Sequence, residues 1–171
     1  MVRKPLILDH SEYDLNNVIA DIEEIRKYNP QRHEMEQLTA IVYEDHDRGV
    51  CVGYKDLAED EFWVRGHMPG MPLMPGVMMC EAAAQLSAYF ARKHRVLDGE
   101  LVGFGGLEDV RFRGIVRPGD RFVIMAKKLS SRSNMIKCDF QGFVNEELVV
   151  TGQIKGIVLP ISLLQESKEV A

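Results

Sequence analysis

The chain has 171 residues, enough for one domain with a full core and too few for two. Apolar side chains make up 46% and charged ones 27%, a balance that excludes extensive disorder. A formal net charge of −5 gives no basic excess of the kind that nucleic-acid partners require.

Residues 1–13 read as an N-terminal extension, either a tail or an added strand, and the apolar stretch in MVRKPLILDHSEYD is too short and too soon broken for a signal peptide. A single domain is expected over residues 14–160, with a C-terminal tail at 161–171. From Asp14, taken as an N-cap, Leu15, Val18, Ile19, Ile22 and Ile25 recur at helical spacing until Asn29-Pro30 stops the pattern. Strands are predicted at Thr39–Glu44 and Gly49–Lys55, and a short apolar segment, Phe62–Val64, leads into a Gly/Pro-rich loop. Between 77 and 91 the polar side chains are Glu81, Gln85, Ser87 and the Tyr89 hydroxyl, so this helix is apolar on nearly all faces and must be buried. Arg92, Lys93, His94 and Arg95 mark where it should reach water, at the end that the helix dipole favours for cations. The rest alternates as strands, joined by polar turns at Ser130–Asn134 and Asn145–Glu147. One buried helix among antiparallel strands predicts an α+β domain whose sheet curls around that helix. Cys51, Cys80 and Cys138 are odd in number and form no CxxC, so they read as three buried thiols in a cytoplasmic protein. The longest apolar run is too short to span a bilayer with ease.

The chemistry concentrates in GHMPGMPLMPGVMMCEAAAQ, residues 66–85. Prolines 69, 72 and 75 and glycines 66, 70 and 76 specify a rigid, irregular path that can position a catalytic group. Pro75-Gly76 opens the helix, whose free N–H groups suit a developing oxyanion. Glu81 lies about one turn inside, in apolar company, where burial of a carboxyl group favours its neutral, proton-donating form. Gln85, four residues on, shares its face and can hold it by a hydrogen bond. An acid beside a histidine, His67, is the pairing a β-elimination needs: one group removes the proton α to a carbonyl and the other protonates the departing hydroxyl. A purely structural histidine and a satisfied core glutamate are the competing readings. A metal site lacks further ligands at suitable spacing, and the PxxPxxP pattern, interleaved with Met and running into a buried helix, is a poor SH3 ligand.

The stretch from His67 to Gln85 resembles the signature of the β-hydroxyacyl-(acyl carrier protein) dehydratases of bacterial fatty acid synthesis, roughly GHFPxxPxxPGVLxxEAMAQ, in the form with glutamate fourteen residues after the histidine. Asp21–Ile25, the segment FGGLEDVRFRGIVRPGD and the tail VNEELVV are similar to other parts of the family, so the likeness spans roughly residues 20 to 160. It implies the hotdog fold and a homodimer in which His67 of one subunit faces Glu81 of the other, with hexamer-type assemblies of dimers also occurring. It further implies His67 as the base at C2, Glu81 acting on the C3 hydroxyl, the Gly76 N–H polarising the thioester carbonyl, the Leu73 carbonyl orienting His67, and Gln85 supporting Glu81. The partner would be an acyl carrier protein bearing a phosphopantetheine-linked acyl chain, with no cofactor, nucleic acid or membrane involved. Two departures stand out: Met68 replaces the usual Phe, and the strand usually reading HRYPFLLVDR appears as Gln31-Arg-His-Glu-Met-Glu-Gln-Leu-Thr-Ala40, keeping only Arg32. That change leaves the acyl substrate open, together with two other readings: another hotdog thioester enzyme, or a non-catalytic acyl-binding subunit. An acidic carrier needs a basic dock, and Arg111, Arg113, Arg117, Arg121, Lys127, Lys128 and Arg132 supply seven cations against two acids over 109–132; a solvated strand face is the alternative.

Overall fold

A computed structural model describes residues 5–97, 99 and 101–160. Six strands, β1 (Ala40–Asp45), β2 (Val50–Asp56), β3 (Val102–Phe112), β4 (Arg121–Arg132), β5 (Met135–Val144) and β6 (Glu147–Val158), form one antiparallel sheet in the order β1-β2-β4-β5-β6-β3. A short helix, α1 (Ile22–Ile25), precedes the sheet, and the long helix α2 (Gly76–Lys93) packs against β2, β3, β4, β5 and β6. A sheet wrapped around one central helix is the hotdog fold.

The packing follows from the alternation. Phe122, Ile124 and Ala126 on β4 and Ile136, Cys138 and Phe140 on β5 share a core with Met79, Ala82, Ala83, Leu86 and Phe90 of α2. Close approach is set where β2 carries Gly53: a Cβ there would lie 2.9 Å from the Ala40 carbonyl oxygen and 3.1 Å from the Leu86 side chain. The hairpin from β5 to β6 turns at Asn145 and Glu146, both at positive φ, the geometry that suits tight turns between twisted strands. All three cysteines are buried and free, and burial pushes the Cys80 thiol to about 11 and the Cys138 thiol to about 12. Among the described residues, no helix is long and apolar enough to cross a membrane.

The other face of the sheet is apolar too, because the residues between the core positions of β4 are Val123 and Met125. They join Val42, Val50, Val52, Tyr54 and Phe143 in a second cluster, capped by Leu8, which is 1% exposed. Gln141 fastens the cap: its Oε1 accepts from the Ile7 N–H at 2.9 Å and its Nε2 donates to the Pro5 carbonyl at 2.9 Å. The described part of the extension is therefore neither a loose tail nor a strand; it is a strap holding a 3-10 turn at His10–Glu12. Trimming Leu8 to alanine is expected to cost about 2–4 kcal/mol, read as a lower denaturant midpoint at constant slope; a change within about 0.5 kcal/mol would show that the strap adds no packing. Residues 161–171, expected as a tail, lie outside the described residues.

Two expectations are corrected. The helix expected from Asp14 begins only after Asp21, whose Oδ1 accepts from the Glu24 N–H at 2.9 Å. Asp14 instead turns back on Asn16, and the Ile19 and Ala20 N–H groups donate to the Ile41 carbonyl, so backbone pairing holds this stretch extended. The segment 31–40, which the resemblance implies as a strand, forms a 3-10 turn, His33–Met35, and an irregular run into β1. The turn leaves Glu34 exposed, Glu36 pairs with Arg26 at 2.6 Å, and Gln37 is buried. Phe62–Val64 is a turn, with the Val64 N–H donating to the Glu61 carbonyl.

The end of α2 also differs from expectation. Lys93 and His94 do not simply enter water but converge on Glu44 of β1, at 2.9 Å each, and the Tyr89 hydroxyl donates to the same carboxylate at 2.6 Å. Arg92 donates to the Tyr28 carbonyl at 2.7 Å.

Candidate active site

His67 sits at the head of the Gly/Pro loop. The Trp63 carbonyl accepts from its backbone N–H at 2.7 Å, and positive φ at Met68 and Gly70 turns the chain back. The Met74 N–H donates to the Val116 carbonyl at 2.8 Å and its side chain is fully buried, which pins the loop's far end. The fold brings His67 and Leu73 together: Nδ1 lies 2.9 Å from the Leu73 carbonyl oxygen. A carbonyl only accepts, so Nδ1 carries the proton and Nε2 is the basic nitrogen.

Gly76 is the first residue of α2, and among the described residues nothing accepts from its N–H. The Phe112 ring stacks on it so tightly that a Cβ would come within 2.7 Å of the ring carbons, so a side chain here would displace the ring. Phe112 was not singled out from sequence; its place beside Gly76 depends on a contact between β3 and α2.

Glu81 is half-buried, not enclosed as its apolar neighbours suggested, because it faces a cavity of about 60 Å³ between α2 and strands β3, β5 and β6. Gln85 does hold it, Nε2 donating to Glu81 Oε1 at 2.7 Å. The same amide reaches the irregular 31–40 segment: Nε2 also donates to the Met35 carbonyl at 2.7 Å, and Oε1 accepts from the Gln37 N–H at 2.9 Å. The segment that departs from the family pattern thus anchors the residue that orients Glu81. Gln31, from that segment, lines the Glu81 cavity.

Within one chain no hydrogen bond joins His67 to Glu81 among the described residues, and His67 is not part of the cavity wall. The described residues contain no cluster of three or more metal-ligating side chains. The seven basic residues read as a patch are spread out: Arg111 is on β3 and Arg121, Lys127, Lys128 and Arg132 are on β4, with β5 and β6 between the two strands. Arg121 is engaged with Asp56 at 2.6 and 2.8 Å and stacks on Tyr54, whereas Arg113 and Arg117 are exposed.

Comparison with known proteins places this architecture. The family model described as a FabA-like domain matches residues 29–153, well over half of the chain. This chain belongs to the FabA-like family. Among curated relatives, the FabA-like chain is 34% identical over 134 residues to the 3-hydroxyacyl-[acyl-carrier-protein] dehydratase FabZ of Clostridioides difficile, covering 78% of this chain and 94% of that one. It is 33% identical over 141 residues to FabZ of Agrobacterium fabrum, covering 82% and 91%. Among solved structures it resembles the dehydratase heterocomplex ApeI:P of Xenorhabdus doucetiae, with a TM-score of 0.69, 17% identity and coverage of 84% and 96%. It also resembles Cj0977, a sigma28-regulated virulence protein of Campylobacter jejuni, with a TM-score of 0.60, 16% identity and coverage of 82% and 94%. At those identities the structural likenesses speak for the fold alone.

Proposed function

We propose that this FabA-like chain dehydrates 3-hydroxyacyl thioesters carried on an acyl carrier protein to trans-2-enoyl thioesters. The observation that carries this reading is the His67 tautomer set by the Leu73 carbonyl, which leaves a basic Nε2 at the head of a rigid loop. Nε2 removes the proton at C2, the electron pair forms the C2–C3 double bond, and the C3–O bond breaks as Glu81 protonates the departing hydroxyl to water. The Gly76 N–H, at the positive end of α2, stabilises the thioester oxygen as charge builds on it. Return of the proton from His67 to Glu81 through solvent resets the pair.

The site is completed by a second copy of the chain. Strand β3 is a sheet edge, and it exposes Phe104, Leu107 and Phe112, followed by Ile115. An apolar open edge of this length invites strand pairing, and pairing β3 with its own copy joins two sheets and turns His67 of one subunit toward Glu81 of the other.

The test is direct. Purified protein given a 3-hydroxybutyryl thioester should develop enoyl absorbance, and failure on all acyl chains from four to sixteen carbons would overturn the reading. The exposed Arg113 and Arg117 provide the dock for the acidic carrier. Reversing both charges to glutamate is expected to raise the apparent KM for carrier-bound substrate about tenfold or more while a small thioester analogue is unaffected; equal effects on both substrates would exclude this dock.

A further inference from the structure

The cavity beside Glu81 holds a polar group that the reaction so far leaves idle. Its walls are mostly apolar, with Ala84 and Ala88 of α2, Phe104 of β3, Ile136 of β5 and Ile154 of β6. Four polar side chains also line it: Glu81, Ser87, Lys155 and Gln31. Three of these are engaged. Ser87 donates its hydroxyl proton to the Ala83 carbonyl at 2.8 Å, and Lys155, a donor only, is held by Glu108. Glu81 Oε1 receives the Gln85 amide. Gln31 lines this cavity and also the small apolar pocket of Ile22, Ile25, Asn29 and Leu38, and its oxygen Oε1 is buried with no hydrogen-bond partner among the described residues. A buried acceptor left unpaired is costly, so native proteins either satisfy it or keep it for a ligand.

Gln31 is held in place from behind. Arg32 Nη1 donates to the carbonyls of Gln31 and Asn29 at 2.6 and 2.8 Å, and Nη2 donates to that of Arg26 at 3.1 Å. Asn29 Nδ2 donates to the Gln85 carbonyl at 3.0 Å, which ties the segment to α2. One guanidinium thus clasps three carbonyls and fixes the backbone from which the Gln31 side chain reaches the wall of the cavity that Glu81 faces.

The acyl part of a 3-hydroxyacyl thioester offers one hydrogen-bond donor, its 3-hydroxyl. We propose that Gln31 is a substrate-contacting residue whose amide oxygen accepts that hydroxyl's hydrogen bond while Glu81 supplies the proton that leaves with it. The inference rests on the dehydratase reading. With its own proton directed at Gln31, the hydroxyl turns its lone pairs to Glu81; the C3–O bond breaks, the hydroxyl takes the Glu81 proton, and the water formed stays hydrogen-bonded to Gln31. The C2 proton goes to His67, so atoms and charge balance.

Binding separates this role from catalysis. In a Glu81→Gln background, which halts turnover, calorimetry should find 3-hydroxybutyryl-pantetheine bound about tenfold tighter than butyryl-pantetheine. Adding Gln31→Met should erase that preference, and Gln31→Glu, which keeps an acceptor at similar reach, should retain it. A preference that survives Gln31→Met, no preference at the outset, or an equal loss of affinity for both thioesters would overturn the proposal. If the unsubstituted protein yields no enoyl product yet shows a hydroxyl preference that Gln31→Met erases, the dehydratase reading falls and the Gln31 contact stands.

Discussion

Replacing His67 with alanine is expected to lower kcat for dehydration about a thousandfold, and Glu81→Gln to do the same, each with little change in KM. The magnitude follows from the usual worth of a positioned acid or base, and the kcat effect from both groups acting on bonds that change only in the transition state. The two dead variants also test where the pair forms. If His67 of one subunit works with Glu81 of the other, a mixed dimer of the two variants carries one intact site and one doubly dead site. Equal mixing and subunit exchange should then restore about a quarter of normal activity. Pairing within one chain predicts no recovery, and activity that survives both single substitutions would remove the mechanism.

Glu44→Ala is expected to cost about 3 kcal/mol and to lower Tm by about 6–12 °C. The side chain of Glu44 is 8% exposed, and its removal strands the Lys93 ammonium and the Tyr89 hydroxyl at the end of α2. Burial alone would push the Glu44 carboxyl up, but hydrogen bonds from Tyr89, Lys93 and His94 outweigh it and hold the group below its ordinary value. A depressed carboxyl stabilises the fold above its unfolded pKa and loses that contribution as pH falls through the folded value. The gap between the parent chain and the variant should therefore be widest near neutrality and narrow under acid, measured by denaturant unfolding at a series of pH values. A gap independent of pH would show that the loss is packing and not charge.

The central helix and its loop were legible because their signals are local. A largely apolar run bounded by Pro75-Gly76 and a basic cluster reads as a buried helix, and Gln85 falls four residues from Glu81 on the same face. What escaped depends on residues distant in sequence. Leu15, Val18 and Ile19 fit a helical period, yet the Ile41 carbonyl claims the backbone there. The cations from 109 to 132 are neighbours in sequence, but strand order scatters them. Glu81 was expected to be enclosed because α2 is apolar; the cavity that exposes it is built by β3, β5 and β6, all later in the chain. Nothing in the run from Gln31 to Gln37 states that two of its backbone groups finish the hydrogen bonding of Gln85.

The strap has a consequence for the order of folding. Ile7 and Pro5 bond to Gln141, 134 and 136 positions further along the chain, and Leu8 shares its cluster with Val42, Val50 and Val52 and with the later Val123, Met125 and Phe143. The hydrogen bonds that fasten the strap therefore wait on β5. Contacts of such sequence separation form late, since the loop they close must be ordered first. The strap is the clasp that shuts last, and until it does the apolar outer face of the sheet stays uncovered.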